Sequence, residues 1–183
     1  AANGKSTIQE VLRRILPHDV ICSISPGDMD KEQYLAKLIG ASANLSDELS
    51  SVAAISSDKF KAVITGDPVT AKIIYKEPVE FKPRAMHILS TNVLPSFKGG
   101  IDAGIERRLL VIPFSRTIRV EERISDFETK LMREQGDILI SEAIREAAIV
   151  FKNGHYSMPA SCQEATTQWM KEADTVRSWL EDG

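Results

Sequence analysis

Near its start the chain reads Asn3-Gly4-Lys5-Ser6-Thr7, and apolar residues then recur at Ile8, Val11, Leu12, Ile15 and Leu16 before Pro17. That spacing predicts an amphipathic helix opening directly out of the Gly-Lys-Ser-Thr turn and stopped by the proline. A glycine-lysine turn at a helix start has a physical use. The glycine lets the backbone N–H groups and the positive helix end approach phosphate oxygens, the lysine neutralises the β- and γ-phosphates, and the serine hydroxyl can ligate Mg²⁺. The full phosphate-loop pattern carries a glycine five positions before Gly4, ahead of the first residue of this sequence, so what is present is the motif's second half. The competing reading is an ordinary capped helix start.

If the first helix faces a sheet, strands should follow, and they do. Val20 to Ile24 is a short β-branched run ended by Ser25-Pro26-Gly27, Asp30 can cap a helix through about Ile39, and Ala43 to Ser46 is a further strand candidate. Val52 to Ile64 reads as a helix ending at Gly66, and Lys72 to Phe81 as a hairpin with Lys76-Glu77-Pro78 at its tip. Ala85 to Thr91 and Leu109 to Phe114 have the composition of buried strands, and from Val120 the chain reads as three helices broken at Asn153-Gly154 and Pro159. Strands interleaved with helices predict an α/β core with a parallel sheet flanked by helices, an inserted hairpin and a C-terminal helical tail. The division expected is a core over residues 1–118 and a helical subdomain over 119–183.

At 183 residues the chain is long enough to bury a substantial single core. No apolar run approaches the roughly 20 residues that span a bilayer, and no leader of the secretory kind is present, so a cytoplasmic protein without a membrane partner is expected. Cys22 and Cys162 stand apart with no paired-cysteine motif, which suits two small packing residues. The net charge is −3, unevenly spread: Lys59 to Lys98 holds seven basic and three acidic residues, whereas Val120 onward holds thirteen acidic and seven basic. A basic middle is compatible with a local nucleic-acid track and equally with solvated surface.

A nucleotide hydrolase also needs an acidic pair at the end of a neighbouring strand, one carboxylate for Mg²⁺ and one to orient or deprotonate water. Asp47-Glu48 is the candidate, although Ala43-Asn44-Leu45-Ser46 is less apolar than a strand buried on both faces should be. A polar residue at an adjacent strand tip, able to bond the γ-phosphate or the water, is supplied by Asn92 in Ser90-Thr91-Asn92. Arg107-Arg108, just before a strand candidate, could reach a neighbouring subunit's γ-phosphate. Taken singly, each also has a plainer reading: an exposed pair, a turn asparagine, surface charge.

In this order, NGKST, NLSDE, FKAVITGDPVTAKIIYKEPVEFKP, HILSTNVLP and ERRLLVIPF resemble the superfamily III helicase domain of phage and plasmid primase-helicases, the group related to the poxvirus primase-helicase. The resemblance runs from Ala2 to about Phe114 and more loosely through the tail. It implies an AAA+-type P-loop core that hydrolyses ATP with Mg²⁺, forms a ring, usually a hexamer, around single-stranded DNA, and often follows a primase domain in the parent chain. Bacterial host cytoplasm is the compartment implied. Carried over, Asn3, Gly4, Lys5, Ser6 and Thr7 bind nucleotide, Ser6 and Asp47 hold the metal, and Glu48 with Asn92 serve catalysis. Arg107 or Arg108 is the finger in trans, and Lys72 and Lys76 on the hairpin contact DNA. The absent first glycine implies that this stretch alone is impaired as an ATPase. Two rival functions stay open, a P-loop ATPase for assembly or packaging, and a non-hydrolysing tether domain of a primase. Trp169 and Trp179 in the tail are expected to pack rather than to stack on bases.

Overall fold

A computed structural model describes residues 3–47, 55–98 and 103–173. Helix α1 (Lys5–Ile15) opens at Gly4, whose φ of 90° is left-handed; a Cβ there would meet nothing, so the glycine is required by the backbone angle rather than by space. Strand β1 (Ile21–Cys22) follows, then α2 (Glu32–Leu35) continued by a 3₁₀ turn over Ala36–Leu38, and strand β2 (Ala43–Ser46). The expected helix from Asp30 to Ile39 is thus shorter, and Lys31 rather than Asp30 stands at its N-cap.

Strand β3 (Ile55–Ser56) leads into helix α3 (Ser57–Thr65), which ends on left-handed Gly66, and strands β4 (Val69–Ala71), β5 (Val79–Phe81), β6 (Met86–Leu89) and β7 (Phe97–Lys98) follow in the chain. The principal sheet has the order β1-β2-β6 and is parallel throughout, with Ala43 opposite Met86 and Ser46 opposite Leu89. Strand β2 is its centre, and all four of its residues are buried.

A polar strand can hold that position because its asparagine is fully bonded. Asn44, 0% exposed, accepts from the Ile24 N–H at 2.7 Å and donates to the Ile24 carbonyl at 2.9 Å, with His87 Nδ1 3.0 Å from its amide nitrogen. The side chain therefore replaces a missing apolar contact with a clamp on the loop after β1, and the desolvation cost of the amide is met.

Three expectations fail for identifiable reasons. Leu109 to Phe114 is not a strand: the Val111 N–H is taken by Thr166 Oγ1 at 2.9 Å and the Phe114 carbonyl by Asn3 Nδ2 at 3.1 Å, so side chains satisfy groups that a sheet would otherwise pair. The hairpin arms are β4 and β5, paired antiparallel with Val69 opposite Phe81, which moves Ile73, Ile74 and Tyr75 out of an arm and into the loop. Of the expected Val52 to Ile64 helix, Val52 to Ala54 lie outside the described residues, Ile55–Ser56 form β3 paired with β7 instead, and the helix begins only at Ser57.

The tail comprises a 3₁₀ turn at Val120–Glu122, one 27-residue helix α5 (Phe127–Asn153) capped by left-handed Gly154, and α6 (Ala160–Ala173), preceded by the short α4 (Ala103–Glu106). Helix α5 packs on α1. Helix α6 docks through Trp169, which is buried against Phe97 (centroids 5.9 Å apart), itself 5.4 Å from Phe60; the indole N–H reaches the Pro95 carbonyl at 3.3 Å. The expected packing role of Trp169 is what the ring does, while Trp179 lies outside the described residues. No described helix is long and apolar enough to cross a membrane.

Candidate nucleotide site at the strand ends

Parallel pairing brings the carboxyl ends of β2 and β6 level, so Asp47 and Ser90 emerge side by side; the Ser90 N–H bonds the Ser46 carbonyl at 3.0 Å. The ends of parallel strands facing a helix start form the crevice where α/β proteins place ligands. Helix α1 lies over this edge, and one of its faces is polar at intervals of four: Lys5, Gln9, Arg13.

Each of these three side chains holds a different part of this sheet edge. Lys5 Nζ donates to Asn92 Oδ1 at 2.8 Å, joining the turn at the chain's start to the loop after β6 across 87 positions of sequence. Gln9, 1% exposed, donates through Nε2 to Ser90 Oγ at 2.8 Å and to the Ser46 carbonyl at 3.1 Å, tying α1 to both strands. Arg13 donates to the Leu45 carbonyl at 3.0 Å and to Asp47 Oδ2 at 3.1 Å. The apolar periodicity points to Ile8 as an inward position, yet Ile8 is 48% exposed and Gln9 is the buried one. The helix is rotated by its polar bonds to the strand ends.

The expected residues divide accordingly. Gly4, Lys5, Ser6 and Thr7 form the start of α1, with Ser6 exposed, and Lys5 meets Asn92 there. Asp47 follows β2 at the same sheet end, but its carboxylate is turned to Arg13, two helical turns from Lys5, and among the described residues its hydrogen bond is made through Oδ2. Asn3 reaches the Phe114 carbonyl. Glu48 lies outside the described residues. Arg107 and Arg108 are exposed just after α4, Arg108 folding back on the Gly104 carbonyl at 2.8 Å, and neither bonds the Lys5–Asn92 group. Lys72 and Lys76 are exposed on the β4–β5 loop.

Gln9 and Arg13 are site residues that the sequence motifs do not single out. Their signal is present in the four-residue spacing from Lys5, hidden by the stronger apolar period on the same helix. Ser6 Oγ and the Asp47 carboxylate are hard donors of the kind Mg²⁺ takes while keeping several waters. Among the described residues no three His, Cys, Asp or Glu side chains gather as a closed metal cage.

Opposite Asn44 on β6, burial pushes the His87 imidazole down to about 4, and among the described residues its buried Nε2 has no hydrogen-bond partner. Burial likewise raises the Cys22 thiol, partly offset by Lys37.

Over 143 residues, 74% of its length, the chain is 35% identical to a protein of Acanthamoeba polyphaga mimivirus named "Putative helicase", of which it spans 14%. The chain therefore corresponds to a small part of that relative's length. The family described as "Family of unknown function (DUF5906)" matches residues 1–108, more than half of the sequence and the part that carries α1, the parallel sheet and the hairpin, and the chain belongs to it.

Proposed function

We propose that this chain is the ATP-hydrolysing core of a helicase of the superfamily III, AAA+ type, working as a ring on single-stranded DNA. The observation that supports it most is the Lys5–Asn92 bond: a helix-start lysine and a strand-tip amide, distant in sequence, meet where a γ-phosphate would lie if the loop binds a nucleotide. Similarity to a mimivirus protein named for helicase activity points the same way.

In this reading the N–H groups at the start of α1 hold the β- and γ-phosphate oxygens, and Lys5 moves from Asn92 onto them. The released amide of Asn92 then holds the attacking water or a γ-oxygen in line with the breaking bond. Ser6 and Asp47 would hold Mg²⁺, which would supply charge neutralisation to the phosphates. Glu48 accepts the water's proton as the water oxygen bonds phosphorus and the β–γ bridging oxygen leaves on ADP. Arg107 or Arg108 reaches the γ-phosphate of an adjacent protomer, which couples turnover to assembly; such a group is worth on the order of 10³ to 10⁵ in rate. Lys72 and Lys76 grip the strand's phosphates without reading bases.

The test is ATP turnover by protein carrying a complete phosphate loop, with and without a single-stranded oligonucleotide, beside Lys5→Ala and the Arg107→Ala/Arg108→Ala pair. Stimulation by the strand, lost in both variants, is the expected result. Turnover indifferent to DNA would favour an assembly or packaging ATPase, and no nucleotide binding would favour a tether.

A further inference from the structure

The loop between β4 and β5 carries a residue that neither the turn nor the core accounts for. Tyr75 has a φ of 62°, left-handed backbone that glycine or asparagine adopts readily and a ring-bearing residue rarely does. The ring is fully exposed at 103%, and Ile74 beside it is 75% exposed, so no packing offsets the unfavourable backbone. The loop is nonetheless firmly rooted. Val69 and Ala71 are buried, the Lys72 N–H bonds the Glu32 carbonyl at 3.1 Å, tying the loop to α2, and the Lys76 N–H closes the turn on the Ile73 carbonyl at 3.1 Å.

A rigid root presenting a bare aromatic ring between two exposed lysines, Lys72 and Lys76, has the make-up of a stacking platform for single-stranded nucleic acid: cations for the backbone, a ring for the bases. We propose that Tyr75 stacks on an unpaired base of the bound strand, with Lys72 and Lys76 on the adjacent phosphates. This rests on the reading of the chain as a single-strand motor and adds to it a base contact beyond the phosphate grip. Exposed Lys82 and Arg84 extend the positive strip past β5 against Glu77 and Glu80, which favours a polyanion over an uncharged apolar partner.

The experiment compares the wild-type protein with Tyr75→Gly and Tyr75→Phe. Binding is measured by fluorescence anisotropy to an oligothymidylate and to an abasic deoxyribose-phosphate strand of equal length, alongside thermal unfolding. Glycine relieves the left-handed backbone, so Tyr75→Gly should unfold at the same or a higher temperature while binding the oligothymidylate on the order of tenfold more weakly. Tyr75→Phe should bind within about twofold of wild type, because stacking needs the ring and not the hydroxyl. On the abasic strand all three should bind alike.

If wild type binds the oligothymidylate and Tyr75→Gly binds it equally well, or the glycine variant loses as much on the abasic strand, base stacking is wrong and the motor reading survives. A tip that serves a protein partner would give the first of these results. If wild type binds neither strand, both fall together.

Discussion

Arg13 and Asp47 form an ion pair at 3.1 Å, and the same guanidinium nitrogen bonds the Leu45 carbonyl at 3.0 Å, so one side chain of α1 grips both the backbone near the end of β2 and the carboxylate that follows it. The pair is open to water, with side-chain exposures of 25% and 52%. Coulomb attraction at such a site is screened and offset by ordering of the long arginine side chain. Arg13→Ala should therefore cost about 1 kcal/mol or less in urea unfolding. A loss several times larger would mean that the arginine, rather than Gln9, is what holds α1 to the sheet.

Asn44 is the opposite case. Its amide is wholly buried and meets both backbone groups of Ile24, so Asn44→Ala leaves a buried donor and a buried acceptor without partners. Each orphan costs about 1–3 kcal/mol, giving an expected loss of roughly 2–6 kcal/mol. Asn44→Leu should be no better, because apolar volume does not satisfy the Ile24 groups. Urea midpoints of the two variants decide this, and recovery of stability with leucine would refute the clamp.

Trp169 tests whether the tail belongs to the core. The indole sits 5.9 Å from the Phe97 ring and bonds Pro95, so Trp169→Ala should cost about 3–5 kcal/mol. Amide exchange in α6 should rise with it, and exchange in β2 and β6 should rise less. Unchanged stability would mean that α6 is an independent appendage.

How much of this could be read from the sequence depended on whether a residue's partner was local. The turn at Gly4, the helix after it, the stop at Pro17 and the cap at Gly66 follow from neighbours in the chain, and all are present. Strand β2 was legible only weakly, because Asn44 is stabilised by Ile24 and His87, 20 and 43 positions away. Leu109 to Phe114 has strand composition, but Asn3 and Thr166 bond its backbone, and no periodicity reports that competition. The Lys5–Asn92 contact could be anticipated from motif order, whereas Gln9 as the buried member of α1 could not, since its acceptors, the Ser46 and Ile88 carbonyls and Ser90 Oγ, lie on or just after two other strands.

Lys5 and Asn92 hold an exposed hydrogen bond, which makes function and stability separable at this point. Lys5→Ala and Asn92→Ala should each unfold within about 0.5 kcal/mol of wild type, as exposed substitutions do. On the ATPase reading proposed above, Lys5→Ala should nonetheless abolish detectable ATP binding, and Asn92→Ala should spare binding while slowing turnover. Titration calorimetry for affinity and phosphate release for rate distinguish the two. An Asn92→Ala variant with normal turnover would remove the amide from the mechanism.

His87 links the same sheet to pH. Half-buried on β6, its imidazole is held down to about 4, against an ordinary value of 6.5, because its partial removal from water disfavours the charged form. Between those two values the unfolded chain binds a proton that the folded chain refuses, so folding stability rises with pH across that window. The contribution is complete above about 6.5, falls as the pH drops toward 4, and is then exhausted. Its ceiling is about 3 kcal/mol, since each tenfold loss of proton affinity on folding corresponds to about 1.4 kcal/mol. Titrating carboxylates add their own slope, so the informative quantity is the difference between wild type and His87→Gln, which keeps a polar side chain opposite Asn44 but cannot take the proton. Urea midpoints from about pH 7.5 down to about 4.5 should converge on those of the variant, or fall below them, as the pH drops. If the two curves ran parallel, His87 would be titrating normally, and its burial against β2 would be incorrect.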